Sequence, residues 1–368
     1  MHTGDIHLDS AFSRLDSRHA EIRRNELRAA FTSMMLSAKM NGADLMLISG
    51  DLFDSEFVTR ETAALLCREF ANFGKPVFIA PGNHDPALPK SFWFRASLPG
   101  NVHVFTKPEV EVFHLDELNV SVYGWGFDSQ NLEESPLKNA SVEDGNRINL
   151  LVCHCDMLSS SSTDCPVTAD ELRAFGADYA ALGHIHNPPA ADDSPWCYCG
   201  CLEPRGFDET GIKGACLAEI DKKDGVSTAA VKRIRFAKRR YEKNELNLDG
   251  AASQSDVKEA VDGLIRQMHY GEDTLLSLTM TGTVSPALVI DTEALADNPA
   301  PLFLLEVTDR TVPDADPDAL ERDDPERRGL PAAETPSGIG GQPSAGSGNP
   351  GAPVRTVRTV GRVRKELK

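Results

Sequence analysis

Five short segments of the chain carry side chains able to ligate a metal, each placed after an apolar run. They are Asp5-Ile6-His7, Gly50-Asp51-Leu52-Phe53-Asp54 after DLMLIS, Gly82-Asn83-His84-Asp85 after PVFIA, His154 after INLLVC, and Gly183-His184-Ile185-His186 after YAAL. Together they form a mixed set of carboxylates, imidazoles and one amide. Such a set suits a borderline-hard divalent ion such as Mn²⁺, Fe²⁺ or Zn²⁺ rather than a thiolate site. Two such ions about 3.5–4 Å apart can clamp the attacking and leaving oxygens of a phosphoryl displacement. A carboxylate can bridge both ions through its two oxygens. Asp51 is the natural bridge, because Gly50 opens a turn on which backbone and metal approach closely. One DxH or one HxH alone is commonly structural; the weight lies in five segments sharing one context.

These segments need a scaffold that gathers strand ends. Ser17 to Met40 reads as a helix, with Leu27, Phe31, Met34 and Ala38 at three- and four-residue spacing and Gly42 just past its end. Thr59 to Phe73 reads as a second helix, stopped by Gly74. Asp44–Ser49, Pro76–Ala80, Ile148–Cys153 and Asp178–Leu182 are short apolar runs, read as buried strands. Alternating strands and helices predict an α/β sheet flanked by helices. Loops at the carboxyl ends of its strands then converge on one crevice.

Short alternating segments between Val102 and Tyr123 predict hairpins, and ACLAEI and STAAVKRIRF beyond Gly214 predict more strands. The sheet is therefore expected to be mixed, with two sheets packed face to face. The organisation read from the chain is a catalytic domain over 1–240, a small α+β cap over 241–312 and a tail over 313–368. The cap is expected to hold a helix at Ser255–Met268 and strands at Thr274–Met280 and near Leu302–Val307. The tail turns to Asp, Pro, Gly and Ser, is of low complexity over 331–353, and ends in the basic VRTVRTVGRVRKELK; disorder is expected there.

Composition narrows the function classes. The chain has 368 residues, with 38 Lys and Arg against 56 Asp and Glu, a formal net charge of −18. That charge repels nucleic acid at long range, so a nucleic-acid substrate would need metal ions or a local basic cleft. No apolar run is long enough to span a membrane, and no secretory signal is expected. A cytoplasmic protein with reduced thiols is expected, its 8 cysteines too sparse for a secreted disulfide framework.

The motifs resemble those of the calcineurin-like metallophosphoesterases: D-x-H, G-D-x-x-D, G-N-H-D/E, H and G-H-x-H are all present. Within that family the chain resembles the DNA repair exonuclease branch, of SbcD and YhaO type. TGDIHLDS, SGDLFD, APGNHDP, LGHIH and GCLEPRGFDETGIKG carry the likeness. The resemblance implies a fold of mixed β-sheets flanked by helices, with a cap. It implies that Asp5, His7, Asp51 and His186 hold one ion, and Asp51, Asn83, His154 and His184 the other. It implies that His84 is no ligand but the catalytic acid, and that Asp54 and Asp85 orient a histidine or steady a turn. The implied cofactors are two divalent ions, Mn²⁺ first, with Fe²⁺, Zn²⁺ or Mg²⁺ as alternatives. The implied activity is 3′–5′ exonuclease action on DNA ends in repair, with endonuclease action as a further mode. The implied partners are an SbcC-type coiled-coil ATPase and a second copy of the chain. Two alternatives stay open: another phosphoesterase of this fold, acting on phosphoproteins or nucleotides, and a non-catalytic DNA-end scaffold in an ATPase complex.

Other residues have blander readings. His2, His19, His103 and His114 read as surface or structural. Cys153, Cys155, Cys197, Cys199 and Cys201 read as small buried thiols rather than a zinc site, whose usual spacing is C-x₂₋₄-C. The basic stretch 232–243, KRIRFAKRRYEK, is either a protected strand edge or a DNA-facing rim. Three residues precede Gly4-Asp5, fewer than a central strand usually has, which predicts either a start further upstream or a stunted first strand.

Overall fold

The computed structural model describes residues 1–189, 194–297 and 301–314; of the tail expected over 313–368, all beyond Asp314, with the basic end, lies outside the described residues, and Pro313 belongs to a short strand. The chain divides into two compact units, Met1–Tyr241 and a second beginning at Glu242.

In the first unit the order is β1 (His2–Thr3), α1 (Ser17–Met40), β2 (Met46–Ile48), α2 (Arg60–Phe73), β3 (Val77–Ile79), α3 (Phe92–Arg95) and β4 (Val102–Val104). Then follow β5 (Glu111–Leu115), β6 (Val120–Gly124), β7 (Ile148–His154), α4 (Ala169–Phe175), β8 (Tyr179–Gly183), β9 (Trp196–Tyr198), β10 (Gly214–Lys223) and β11 (Val226–Arg235). Six strands make one sheet in the order β11-β10-β1-β2-β3-β4, and five make another in the order β5-β6-β7-β8-β9. Strands β1 to β4 run parallel to one another, as do β6 to β9, while the hairpins β10–β11 and β5–β6 are antiparallel. Thus Val102–Val104 differs from the expected hairpin. It extends the parallel sheet, Val77 facing Val102.

The sheets lie face to face. Leu47, Phe78 and Phe105 on one side pack against Val122, Leu150, Val152 and Tyr179 on the other. The outer face of the larger sheet carries α1 and α2, through Leu27, Phe31, Met34, Leu66 and Phe70. The outer face of the smaller carries α4, through Leu172 and Phe175. Local chemistry sets these boundaries. Oδ1 of Asp16 accepts the N–H groups of Arg18 and His19 at 2.9 and 3.0 Å and caps α1. Thr59 caps α2 by accepting the N–H of Thr62 at 3.2 Å. Gly74, at φ +68°, ends α2 in the left-handed conformation that suits glycine.

The two-residue β1 is central, hydrogen-bonded to β2 on one side and to β10 on the other. His2 within it is buried, held by the Tyr179 hydroxyl at 2.9 Å and Ser49 Oγ at 3.1 Å. At the other margin, β11 forms the edge of the larger sheet.

The second unit opens within β12 (Arg240–Asn247) and continues with α5 (Gln254–Gln267), β13 (Thr274–Thr281), β14 (Thr283–Val284), α6 (Thr292–Asp297), β15 (Leu304–Asp309) and β16 (Val312–Pro313). Its sheet has the order β12-β13-β15, with β13 and β15 parallel. Helix α5 starts at a capping box between Ser253 and Asp256 and buries Val257, Val261 and Ile265 with Leu276, Leu278 and Leu305.

Candidate metal centre

Each chemistry-bearing segment follows a strand. Asp5 and His7 leave β1, Asp51 leaves β2, Asn83 and His84 leave β3, His154 ends β7, and His184 and His186 leave β8. Three of those strands belong to the larger sheet and two to the smaller. The site therefore lies where the carboxyl ends of both sheets meet.

The loops after β1 and β2 are laced together. The Asp5 N–H donates to Gly50 O at 3.0 Å, and the N–H groups of Ile6 and His7 both donate to Asp51 O at 2.9 Å. Asp5, His7, Asp51 and His184 have φ of +47°, +51°, +50° and +105°. Side-chain-bearing residues seldom adopt such conformations, and four at one site mark strain held in place by its surroundings. Gly82 lies against Asp51; a Cβ there would overlap its Oδ1.

One donor atom each from Asp5, His7, Asp51 and His186 falls within 4.8 Å of all the others. Nε2 of His7 lies 3.2 Å from Nε2 of His186 and 3.6 Å from Oδ2 of Asp51. Nε2 of His186 lies 3.8 Å from Oδ1 of Asp5. On the other side of Asp51, the same Oδ2 lies 3.4 Å from Nε2 of His154. That nitrogen in turn is 3.0 Å from Oδ1 of Asn83. The His184 ring stands edge-on to His154, centroids 5.2 Å apart. Its backbone N–H donates to both Asp5 oxygens at 2.9 and 3.1 Å.

The donor chemistry fits cations. Nδ1–H of His154 donates to Ser49 O at 3.0 Å, which leaves the Nε2 lone pair as the one a cation would use. That lone pair faces two further acceptors, Asn83 Oδ1 and Asp51 Oδ2. Likewise Nδ1–H of His186 donates to Glu209 Oε1 at 2.8 Å, turning the Nε2 lone pair toward His7. Acceptors gathered without protons between them are what ligands of one ion look like; at bonds of about 2.1 Å, neighbouring ligands sit about 3 Å apart. Asp5 and Asp51 are also almost completely buried, and buried carboxylates need compensating positive charge.

The surrounding field sorts the titrations. Burial pushes His7 well below the ordinary histidine value, and the nearby Arg205 charge adds to this. Burial, then His154, likewise lowers His184. Burial opposes charging of His186 too, but the Glu209 hydrogen bond and Asp5 outweigh it and raise that group. Glu209 itself, against the cost of burial, is held down to about 2 by His186 and Arg205. Asp51 falls to about 2, burial being outweighed by His154 and His7.

The remaining expected residues hold distinct places. His84 is exposed, with Nδ1–H donating to Asp54 O at 3.1 Å and its ring 4.7 Å from that of His7. It borders an open pocket of 560 Å³ shared with Asn83, Phe57, Gln130, Asn131 and Thr163. Oδ1 of Asp54 faces Nδ1 of His7 at 3.2 Å. Its side chain does not cap α2, a role taken by Thr59. Asp85 is buried and accepts the N–H groups of Leu52, Phe53 and Gly82 at 2.8, 3.2 and 2.7 Å, tying the loops after β2 and β3 together. His7, Asp54 and His84 form a second group of potential donors, sharing His7 with the first.

Sequence reasoning did not assign roles to Arg205 and Glu209. Both lie in the GCLEPRGFDETGIKG segment between β9 and β10, and both touch the Nδ1 side of the site. Glu209 holds His186, and Nη1 of Arg205 pairs with Oδ1 of Asp54 at 2.6 Å. Cys201 lies nearby, its thiol directed at His186 O. All the cysteines are free thiols, and seven of them are buried. Much of the basic 232–243 stretch is engaged internally: Arg233 donates to Cys199 O and Tyr198 O, and Arg239 pairs with buried Glu26. Among the described residues, no helix is long and apolar enough to cross a membrane.

Known proteins share this arrangement of sequence. The chain is 29% identical over 237 residues to the uncharacterized metallophosphoesterase YhaO of Bacillus subtilis, covering 61% of this chain and 58% of that protein. It is 27% identical over 237 residues to the DNA double-strand break repair protein Mre11 of Aeropyrum pernix, covering 59% and 56%. It is 24% identical over 257 residues to SbcD of the nuclease SbcCD from Staphylococcus epidermidis, covering 60% and 66%. The chain thus spans 56% to 66% of the length of these relatives. Residues 1–188, which carry every strand that supplies the site, match the calcineurin-like phosphoesterase family, and the chain belongs to it.

Proposed function

We propose that this protein is a metal-dependent nuclease that hydrolyses phosphodiester bonds at DNA ends in repair or end processing. Exonuclease action from the 3′ end is its main mode and endonuclease action a second. One observation carries the reading: a single oxygen of buried Asp51 faces one imidazole nitrogen from each donor set, Nε2 of His7 at 3.6 Å and Nε2 of His154 at 3.4 Å. Asp5, His7, Asp51 and His186 would hold one ion, and Asp51, Asn83, His154 and His184 the other, with Mn²⁺ the expected metal. Divalent cations there supply Lewis acidity and offset the charge of the phosphodiester. The protein's own groups do the rest. Asp54 O fixes Nδ1–H of His84, which leaves Nε2 free to carry a proton to the leaving oxygen from the open side of the pocket. Asp85 keeps the loops that carry Asp51 and His84 in one arrangement.

Likeness to SbcD and to Mre11 supports DNA as the substrate and an SbcC-type ATPase as a partner. A homodimer and a cytoplasmic location belong to the same reading. A second reading, a phosphoesterase acting on small nucleotides or phosphoproteins, is favoured by the net charge of −18 and by the internal use of Arg233 and Arg239.

The test is an end-labelled DNA assay with Mn²⁺ or EDTA, wild type beside His84→Ala. The expected result is metal-dependent loss of terminal nucleotides. His84→Ala should slow it by about 10²–10⁴-fold while keeping the wild-type metal content. Intact DNA alongside rapid hydrolysis of nucleotides or p-nitrophenyl phosphodiesters would establish the second reading instead.

A further inference from the structure

We infer that Arg205 is a positioning residue for one half of the metal centre: its guanidinium fixes Glu209, the carboxylate that orients His186, and Asp54, the carboxylate that lies beside His7. Nη1 of Arg205 pairs with Oδ1 of Asp54 at 2.6 Å, and that same oxygen faces Nδ1 of His7 at 3.2 Å. Nη2 of Arg205 lies 3.3 Å from Oε1 of Glu209, the atom that accepts Nδ1–H of His186 at 2.8 Å. The Arg205 backbone N–H also donates to Oε2 of Glu209 at 2.6 Å, so backbone and side chain grip both oxygens of that carboxylate. One planar fork thus reaches behind both imidazoles whose Nε2 atoms stand 3.2 Å apart. A fork of this kind holds two carboxylates at a set spacing, which a single ammonium cannot do.

The reach of Arg205 is one-sided. On the far side of Asp51, His154 is set by the backbone carbonyl of Ser49, at 3.0 Å, and owes nothing to Arg205. The segment that bears Arg205 is itself anchored from behind. Buried Arg23 on α1 pairs with Glu203 at 2.7 Å and donates to Pro204 O at 2.8 Å, next to Arg205 in the chain. Partners behind ligating histidines commonly change metal affinity by 10- to 100-fold. Arg205 therefore tunes the affinity of the Asp5, His7, Asp51 and His186 set and leaves the Asn83, His154 and His184 set alone. This rests on the two-cation reading above.

The test is a Mn²⁺ titration of the metal-free full chain, with free Mn²⁺ read by electron paramagnetic resonance. Wild type is expected to bind two ions. Arg205→Ala should keep one with unchanged affinity and weaken the other by 10- to 100-fold. Arg205→Lys should resemble Arg205→Ala, and Glu209→Gln should weaken the same ion, which keeps the test open should one variant fold poorly. Adding Arg205→Ala to Glu209→Gln should cost less than the two single effects combined. Equal weakening of both ions, or no change in either, overturns the inference. Wild type binding fewer than two ions overturns the two-cation reading itself, and this inference with it.

Discussion

The backbone N–H of His84 donates to Oδ1 of Asp51 at 3.0 Å. One carboxylate oxygen is thereby committed to the loop that bears His84, and the other is left facing His7 and His154. The rotation of the shared carboxylate and the placement of His84 are consequently one structural decision.

Asp51→Asn should therefore be the most damaging single substitution at the site. An amide brings N–H groups to face acceptor nitrogens and removes the charge that both donor sets share. The expected outcome is loss of both ions after dialysis, read by metal analysis. Asn83→Ala, confined to one set, should lose only one.

Gly82→Ala should act through the same carboxylate. Its Cβ would overlap Asp51 Oδ1 and crowd the Asp51 backbone nitrogen. Overpacking of this kind costs about 1–3 kcal/mol. A lower melting temperature and weaker Mn²⁺ binding together are the expected readout. A wild-type melting temperature would show that the loops relax freely.

Arg23→Ala should destabilise the first unit strongly. Arg23 is fully buried and pairs with both Glu26 and Glu203 at 2.7 Å. Removing one member of a buried ion pair costs about 3–5 kcal/mol, since the partner charge is left uncompensated. Urea denaturation should show a loss of that order, and adding Glu203→Gln should recover part of it.

Acid should weaken the fold through His2. Burial, the terminal ammonium and Arg233 lower this group from 6.5 to about 3. The unfolded chain takes up the proton as pH falls below 6.5, whereas the folded chain does not until about 3. Its contribution is thus fully present above pH 6.5 and is lost toward pH 3, at about 1.4 kcal/mol per unit. Melting temperatures measured from pH 7.5 down to pH 5 should fall more steeply for wild type than for His2→Gln; parallel profiles would contradict this.

The legible parts of the fold share a physical cause. Helix Ser17–Met40 shows in the sequence because its apolar spacing and Gly42 agree locally; its Asp16 cap shows only in the structure. The strand-end segments show because ligand types follow buried runs directly. Val102–Val104 did not show as a parallel strand, since three residues carry too little pattern to reveal their partner. Cys197, Cys199 and Cys201 alternate as residues on one strand face would, yet β9 stops at Tyr198 and Gly200 turns the chain at φ +71°. Arg205 and Glu209 were silent for a different reason. Their segment has no periodicity, and Arg205 meets Asp54 across 151 residues of sequence. Such a pairing exists only once both sheets have formed.

The two sheets touch through a seam of Leu47, Phe78, Val122, Leu150 and Val152. Because the candidate donor side chains hang from both sides of that seam, its apolar filling works as a calliper for the pocket above it. Trimming a methyl group deep in the sandwich, far from any donor atom, would let the jaws slip and alter the gap that His154 keeps from Asp51. Core volume and the spacing of the donor atoms are thus set together in this fold.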